Sequence, residues 1–231
     1  VDGLPAPTRR DRLRAQTLEE ITEHAIAVLD AEGADALTLA SIAKSTGIST
    51  PGLYRYFASR DALLDELQVV AHVQLAGALE RRAADSAELA PPQRVRAVVD
   101  AYRGWALAHP KRYALMFGDR VAGEGNASRV AAAASRGMEV LIAALGELWA
   151  TNLETLPNER LDRQLHDWIR SRTGTRAPSH ILRAAVFTWT RLHGIVSLEL
   201  SGSFASMGFD PQLLLEAEIQ NALAGLTSAS K

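Results

Sequence analysis

Apolar residues recur at three- and four-residue spacing along most of the chain, and strict alternation persists nowhere. Leu18, Ile21, Ala25, Val28 and Leu29 share one face of a helix expected over residues 17–31, the period of an amphipathic helix. Gly33 stands where a C-cap is needed. Thr38 can cap a short helix carrying Leu39, Ile42 and Ala43, and Gly47 ends it. Ser49 can cap a third helix, expected over 50–57, with Pro51 in its first turn, where a missing N–H costs nothing. From Ser59 the stripe Leu63, Leu64, Leu67, Val70, Ala71, Leu75 and Leu79 predicts a long helix to about residue 84.

Beyond Pro91-Pro92 a helix is expected to about His109, where His109-Pro110 interrupts it. A short helix at 112–117, a Gly-rich loop at 118–126 and helices at 128–151 and 157–171 follow. Residues 172–177 read as a polar connection. The last two helices are expected at 178–200 and 211–226, joined by a turn rich in Gly and Ser. The segment Pro157–Ala177 finds no definite place and reads as an extra helix and loop. With nine or ten helices and no strand, the expected fold class is all-α.

Composition narrows the function classes. With 47% hydrophobic residues and a formal net charge of -2, the chain has apolar material for a core and little self-repulsion, unlike a disordered chain. It contains no cysteine, which excludes disulfide staples, thiolate zinc sites and thiol chemistry. No run of about eighteen apolar residues is long enough to span a membrane, and residues 1–14 lack the apolar core of a secretory signal. A cytoplasmic location is expected. The histidines at 24, 72, 109, 166, 180 and 193 show no ligand spacing, and no catalytic motif is present, so no metal, no cofactor and no enzyme activity are expected.

The near-neutral charge hides an uneven distribution. Arg9, Arg10, Arg12 and Arg14 face one acid, Asp11, in an expected disordered basic arm, residues 1–14. Residues 16–35 hold six acids and no Lys or Arg, whereas Thr38 to Arg60 contains Lys44, Arg55 and Arg60 and no acid. That acid-free run coincides with helix-turn-helix spacing: Ile42, Ala43, Gly47, Ile48, Leu53 and Tyr56. Ala43 is small where two helices touch, Gly47 permits the turn between them, and Ile48 and Leu53 point inward.

The stretch from Thr38 to Leu63, ending in Leu53-Tyr54-Arg55-Tyr56-Phe57-Ala58-Ser59-Arg60-Asp61-Ala62-Leu63, resembles the signature of TetR-type transcriptional regulators. Further on, Trp189, His193 and Gly194 are similar to the Trp-His-Gly pattern of one subclass of their C-terminal domains. The resemblance implies a three-helix helix-turn-helix DNA-binding domain at 15–62 and a larger helical effector-binding and dimerisation domain at 63–231. It further implies a homodimer, a pseudo-palindromic double-stranded DNA operator, and a repressor released by a small, largely apolar effector. A C-terminal domain answering to a protein partner, or to nothing, remains an alternative, and an all-α enzyme is the competing class.

A helix-turn-helix presents the start of its second helix to base edges in the major groove. Here those residues are Ser49, Thr50, Pro51 and Gly52, followed by Tyr54 and Arg55. Thr50 and Arg55 can hydrogen-bond to bases, Arg preferentially to guanine; Pro51 and Gly52 offer apolar contact and close approach. Tyr54 can serve packing or DNA. By resemblance, Tyr56 and Arg60 hold phosphates and Thr38 offers its hydroxyl to another. Lys44 is a further phosphate candidate or a solvated charge, and the arginine arm is a mobile tail or a minor-groove element.

Candidates for an effector pocket are Tyr102, Trp105, Arg112, Met116, Trp168, Trp189 and His193. His193 beside Gly194 can meet a ligand, sit in the core or lie at a dimer seam. The final two helices carry Ile181, Leu182, Ala185, Val186, Trp189, Leu192, Val196 and Leu200, then Leu214, Leu215, Ile219 and Leu223, and by resemblance they pair with their copies across a two-fold axis.

Overall fold

The computed structural model describes residues 8–118, 123–148 and 158–224, and every element among them is helical. The order is α1 (Arg9–Glu32), a 3-10 turn (Ala34–Ala36), α2 (Leu39–Thr46), α3 (Thr50–Leu53), α4 (Arg60–Asp85), α5 (Pro91–Ala108), α6 (Pro110–Phe117), α7 (Glu124–Leu148), α8 (Glu159–Arg172), α9 (Ser179–Leu200), α10 (Ser203–Met207) and α11 (Pro211–Ala224). The expected helix boundaries at Thr151 and Pro157 lie outside the described residues.

Two compact units divide the chain. The first comprises the described residues up to Ala71 together with those of Lys111–Ala127. Its core joins Ile21, Ala25 and Leu29 of α1 to Ile42 and Ala43 of α2, Leu53 of α3, and Leu63, Leu64 and Leu67 of α4. Leu115 of α6 completes it. This compact unit runs past the boundary expected between residues 62 and 63. Removing Leu63 and Leu67, both fully buried, would open the core that holds the helix-turn-helix. α6 is fastened to the same unit by Arg112, paired with Asp30, and by Lys111 Nζ, which donates to the Ala31 carbonyl at 2.5 Å.

α1 begins at Arg9, earlier than the start expected near residue 17, so that Arg9–Arg14 of the expected arm are helical. Thr8 Oγ1 accepts from Asp11 N at 3.2 Å while Asp11 Oδ2 accepts from Thr8 N at 3.0 Å. This reciprocal capping box satisfies two N–H groups that an unfinished helix start leaves exposed. α3, by contrast, ends at Leu53 instead of Phe57, and residues 54–56 continue as a turn. Pro51 and Gly52 occupy half of that four-residue helix, and neither propagates helix well.

The second unit holds His72–Pro110 and the described residues from Ser128 onward. Its core includes Val99, Leu145, Ile169, Leu182 and Leu215, all fully buried. Polar struts brace α5, α9 and α11. Arg103 grips Glu199 through Nε at 2.7 Å and Nη2 at 2.5 Å, and Nη1 donates to Gln212 at 2.6 Å. Arg96 pairs with Glu216, and Arg191 with Glu218, each at 2.7 Å. α8 meets α9 through the Asp162–Arg183 pair and through His166 Nε2 and Ser179 Oγ, 3.0 Å apart. α10 forms where a bare turn was expected, because Phe204 packs inward, 5% exposed.

The expected pairing face of α9 and α11 divides in two. Ile181, Leu182, Ala185, Leu192, Val196, Leu215 and Ile219 are buried within the protomer. Among the described side chains, Phe187 and Leu198 of α9 and Leu213 and Leu214 of α11 are large, apolar and exposed.

Candidate nucleic-acid interface

The reading head is assembled by backbone chemistry at three places. Thr38 caps α2: its Oγ1 accepts from Ser41 N at 3.0 Å, and Ser41 Oγ accepts from Thr38 N at 3.2 Å. Gly47 closes α2 in the left-handed region at φ 70°, a conformation that costs a side-chain-bearing residue energy. Ser49 caps α3 by accepting from Gly52 N at 3.2 Å. A Cβ at Gly52 would stand 3.0 Å from both Ile48 Cγ2 and Ser49 Oγ, so this turn is packed around a missing side chain. Ala43 lies buried at the crossing, and Leu53 and Phe57 pin α3 onto the core.

With those groups turned inward, the others turn out. Ser49, Thr50, Pro51, Tyr54 and Arg55 are exposed, Gly52 and Tyr56 half-buried. Tyr54 is 55% exposed, which removes it from the core and leaves its ring for a partner. Lys44 is exposed on α2. The result is one outward surface of hydroxyl, aromatic and cationic groups without a carboxylate in its sequence. Such a surface can donate hydrogen bonds to phosphates and base edges without a like-charge penalty.

Arg60, for which a phosphate contact is expected, is bonded within the protein. Its Nε donates to the Leu37 carbonyl at 2.7 Å and its Nη2 to the Ala34 carbonyl at 2.6 Å, with Asp35 at 3.9 Å. It ties the first residue of α4 to the 3-10 turn. Arg14, assigned only to the arm, reaches the head instead. Its Nη2 donates to the Arg55 carbonyl at 3.2 Å, and its guanidinium stands 5.1 Å over the Tyr56 ring centroid. The Thr8-x-x-Asp11 spacing was the available sequence signal that α1 starts early enough to place it.

The family described as bacterial regulatory proteins, tetR family, matches residues 21–67, and the tetracyclin repressor-like C-terminal domain matches residues 95–222. The chain belongs to the TetR family. HTH-type transcriptional regulators of Mycobacterium tuberculosis and Mycobacterium bovis are 30% identical to it over 223 residues, covering 94% of this chain and 95% of theirs. Among solved structures, a regulatory protein designated SCO4313 is 37% identical with a TM-score of 0.73, covering 94% of this chain and all of that one. A Rhodococcus sp. RHA1 protein of unknown function is 27% identical with a TM-score of 0.67, covering 90% of this chain and 94% of that one. As a TetR-family member the protein is a DNA-binding transcriptional regulator, of a family that is not enzymatic. Among the described residues no helix is long and apolar enough to cross a membrane.

The TetR-family body scatters the effector candidates. Arg112 is spent on Asp30, and Met116 is buried with its carbonyl accepting from Gln68 Nε2 at 3.3 Å; both belong to the first unit. Tyr102, Trp105, Trp168, Trp189 and His193 belong to the second. Tyr102 Oη and His193 Nδ1 are 3.4 Å apart, and the His193 ring stacks on Trp189 with centroids 5.6 Å apart. Burial holds the His193 imidazole below its ordinary pKa by disfavouring the cation.

A concavity of the second unit lies elsewhere, among α7, the connection to α9 and the start of α9. It is a cleft of about 530 Å³ walled by Glu139, Ile142, Thr175, Arg176, His180 and Ile181, among others. Thr175 Oγ1 donates to the Glu139 carboxylate, while His180 Nε2 is buried with no hydrogen-bond partner. A smaller concavity, about 20 Å³ between Val95, Leu145, Leu192 and Leu215, has little room beyond a water. Sequence reasoning missed Glu139, Thr175, Arg176 and His180, since nothing in their spacing brings separate elements together.

Proposed function

We propose that the protein is a homodimeric cytoplasmic repressor that binds a pseudo-palindromic operator and is released from it by a small effector. The observation that carries the DNA reading is the outward, acid-free surface of Thr50, Pro51, Gly52, Tyr54 and Arg55 on a capped, glycine-closed turn. Thr50 and Arg55 read bases. Tyr56, Lys44 and the first N–H groups of α2, the helix that Thr38 caps, position the phosphates.

Dimerisation is supported by the apolar groups that α9 and α11 leave exposed. Phe187 is 50% and Leu213 64% exposed. Gly194 lies between Phe187 and Leu198 along α9, and a Cβ there would meet nothing within 4 Å. Its small size thus leaves room for a second copy to approach. Two heads placed about 34 Å apart then meet successive major grooves on one face of the duplex.

The effector reading is supported by the cleft, whose volume is within the usual range for small-molecule sites of about 300–1,000 Å³. Ile142 and Ile181 provide an apolar wall and His180 Nε2 an unused hydrogen-bonding group. Tyr102, Trp189 and His193 form a second candidate contact group. An effector that lowers operator affinity a hundredfold must favour the DNA-incompetent state by about 2.7 kcal/mol.

Sedimentation and DNA titration test this reading together. The expected result is a dimer at micromolar concentration, converted to monomer by Gly194→Arg, and lower duplex affinity when a cleft-binding compound is added. A monomeric wild-type protein would overturn the dimer. Unchanged duplex affinity with every compound shown to occupy the cleft would overturn the effector role.

A further inference from the structure

The first two turns of α1 are a charged rod whose orientation is fixed. Thr8 and Asp11 close the helix start, and Thr8 Oγ1 also donates to Asp11 Oδ2 at 2.7 Å. These bonds hold the Asp11 carboxyl below its ordinary pKa, so the only acid among the four arginines is already engaged in the cap. At the other end of the rod, Arg14 is seated on the Tyr56 ring and the Arg55 carbonyl. That contact decides which face of α1 borders the reading surface.

At 3.6 residues per turn, Arg10 lies one turn earlier on the face of Arg14, about 40° away around the axis. Arg9 and Arg12 point about 140–160° away, on the opposite side. All four are exposed. The rod therefore carries one arginine past the edge of the helix-turn-helix and turns two others aside.

We propose that Arg10 contacts the phosphate backbone flanking each half-site, outside the helix-turn-helix, and that Arg14 is the positioning residue that aims it. This rests on the reading of Tyr54, Arg55 and Tyr56 as DNA-facing. An arginine that neutralises one phosphate adds about 0.9 to the salt slope of binding, independent of sequence.

The test is fluorescence anisotropy across salt on a random-sequence duplex, which needs no operator, with helicity checked for each variant. Arg10→Ala removes one such contact from each head of the dimer and should lower the slope by about 1.8, so that its affinity deficit shrinks about 12-fold between roughly 50 and 200 mM salt. Arg10→Lys should restore most of the slope, while Arg9→Ala and Arg12→Ala should leave it near wild type. In an Arg14→Ala background, Arg10→Ala should lose its effect, a coupling that simple loss of packing at Arg14 would not produce.

An unchanged slope for Arg10→Ala, or equal losses at positions 9, 10 and 12, would overturn the proposal. A protein that binds random duplex with normal slope but selects no sequence would refute operator reading while leaving the Arg10 result intact. Failure of Arg10→Ala alone, with sequence selection intact, would refute only this proposal.

Discussion

The two units of this chain use their polar groups in opposite ways. In the first, Thr8, Thr38 and Ser49 spend their hydroxyls on helix starts, and Arg60 spends its guanidinium on two carbonyls. What remains outside, from Thr50 to Arg55, is free to meet a partner. In the second, Arg103, Glu199 and Gln212 face one another across three helices, and Arg96 and Arg191 repeat the arrangement. The first unit spends side chains on backbone groups at its helix starts and its 3-10 turn, with the Arg112–Asp30 pair holding α6, and presents the rest outward. The second ties its helices together through side-chain pairs far apart in sequence.

The largest effect expected from breaking this division is in the core of the head. Leu53→Ala removes a fully buried side chain and should cost about 2–5 kcal/mol of stability, read as a lower midpoint in thermal unfolding together with weaker DNA binding. Arg103→Ala comes next. It leaves Glu199, whose side chain is 15% exposed, without its bidentate partner, and should cost about 2–3 kcal/mol in denaturant titration. Under conditions where the variant is still folded, its affinity for random duplex should match wild type. Loss of that affinity while α5, α9 and α11 remain folded would show that the struts serve the head directly.

Arg60→Ala sharpens the same comparison inside the first unit. Loss of two carbonyl bonds should lower stability by about 1–2 kcal/mol and leave the salt slope of DNA binding unchanged. A slope lowered by about 1.8, one phosphate in each head of the dimer, would support the phosphate role that the family motif suggests.

The smallest effect concerns His193. Its folded pKa is below the ordinary 6.5 because burial disfavours the imidazolium. The unfolded chain then takes up the proton more readily, so stability present above pH 6.5 is lost as pH falls through the folded value. His193→Asn should unfold with a shallower loss of melting temperature across that window than wild type. Identical profiles would mean that proton uptake at His193 differs little between folded and unfolded states.

Legibility in the sequence follows the same division. Thr38, Gly47, Ser49 and Pro51 announce the helix-turn-helix because caps and turns are decided within three or four residues, and each stands at its expected place. The all-α class was equally open to reading from periodicity. The early start of α1 was written in Thr8 and Asp11, but it sat within an arginine run whose charge suggested disorder. Arg112 could not be placed, since its partner Asp30 is far off in sequence. The same holds for the cleft, where Glu139 of α7 meets Thr175 of a connection without periodicity. Phe204 was legible as apolar, yet a single buried ring among Gly and Ser does not declare a helix.

The central claim is that the exposed start of α3 reads DNA sequence. Binding-site selection with wild type and Arg55→Ala tests it most directly. The account predicts that wild type enriches a pseudo-palindrome and that Arg55→Ala loses discrimination at one base pair in each half-site, worth about 1–3 kcal/mol, while other positions hold. Enrichment of no sequence by wild type, or an identical motif with Arg55→Ala, would contradict it.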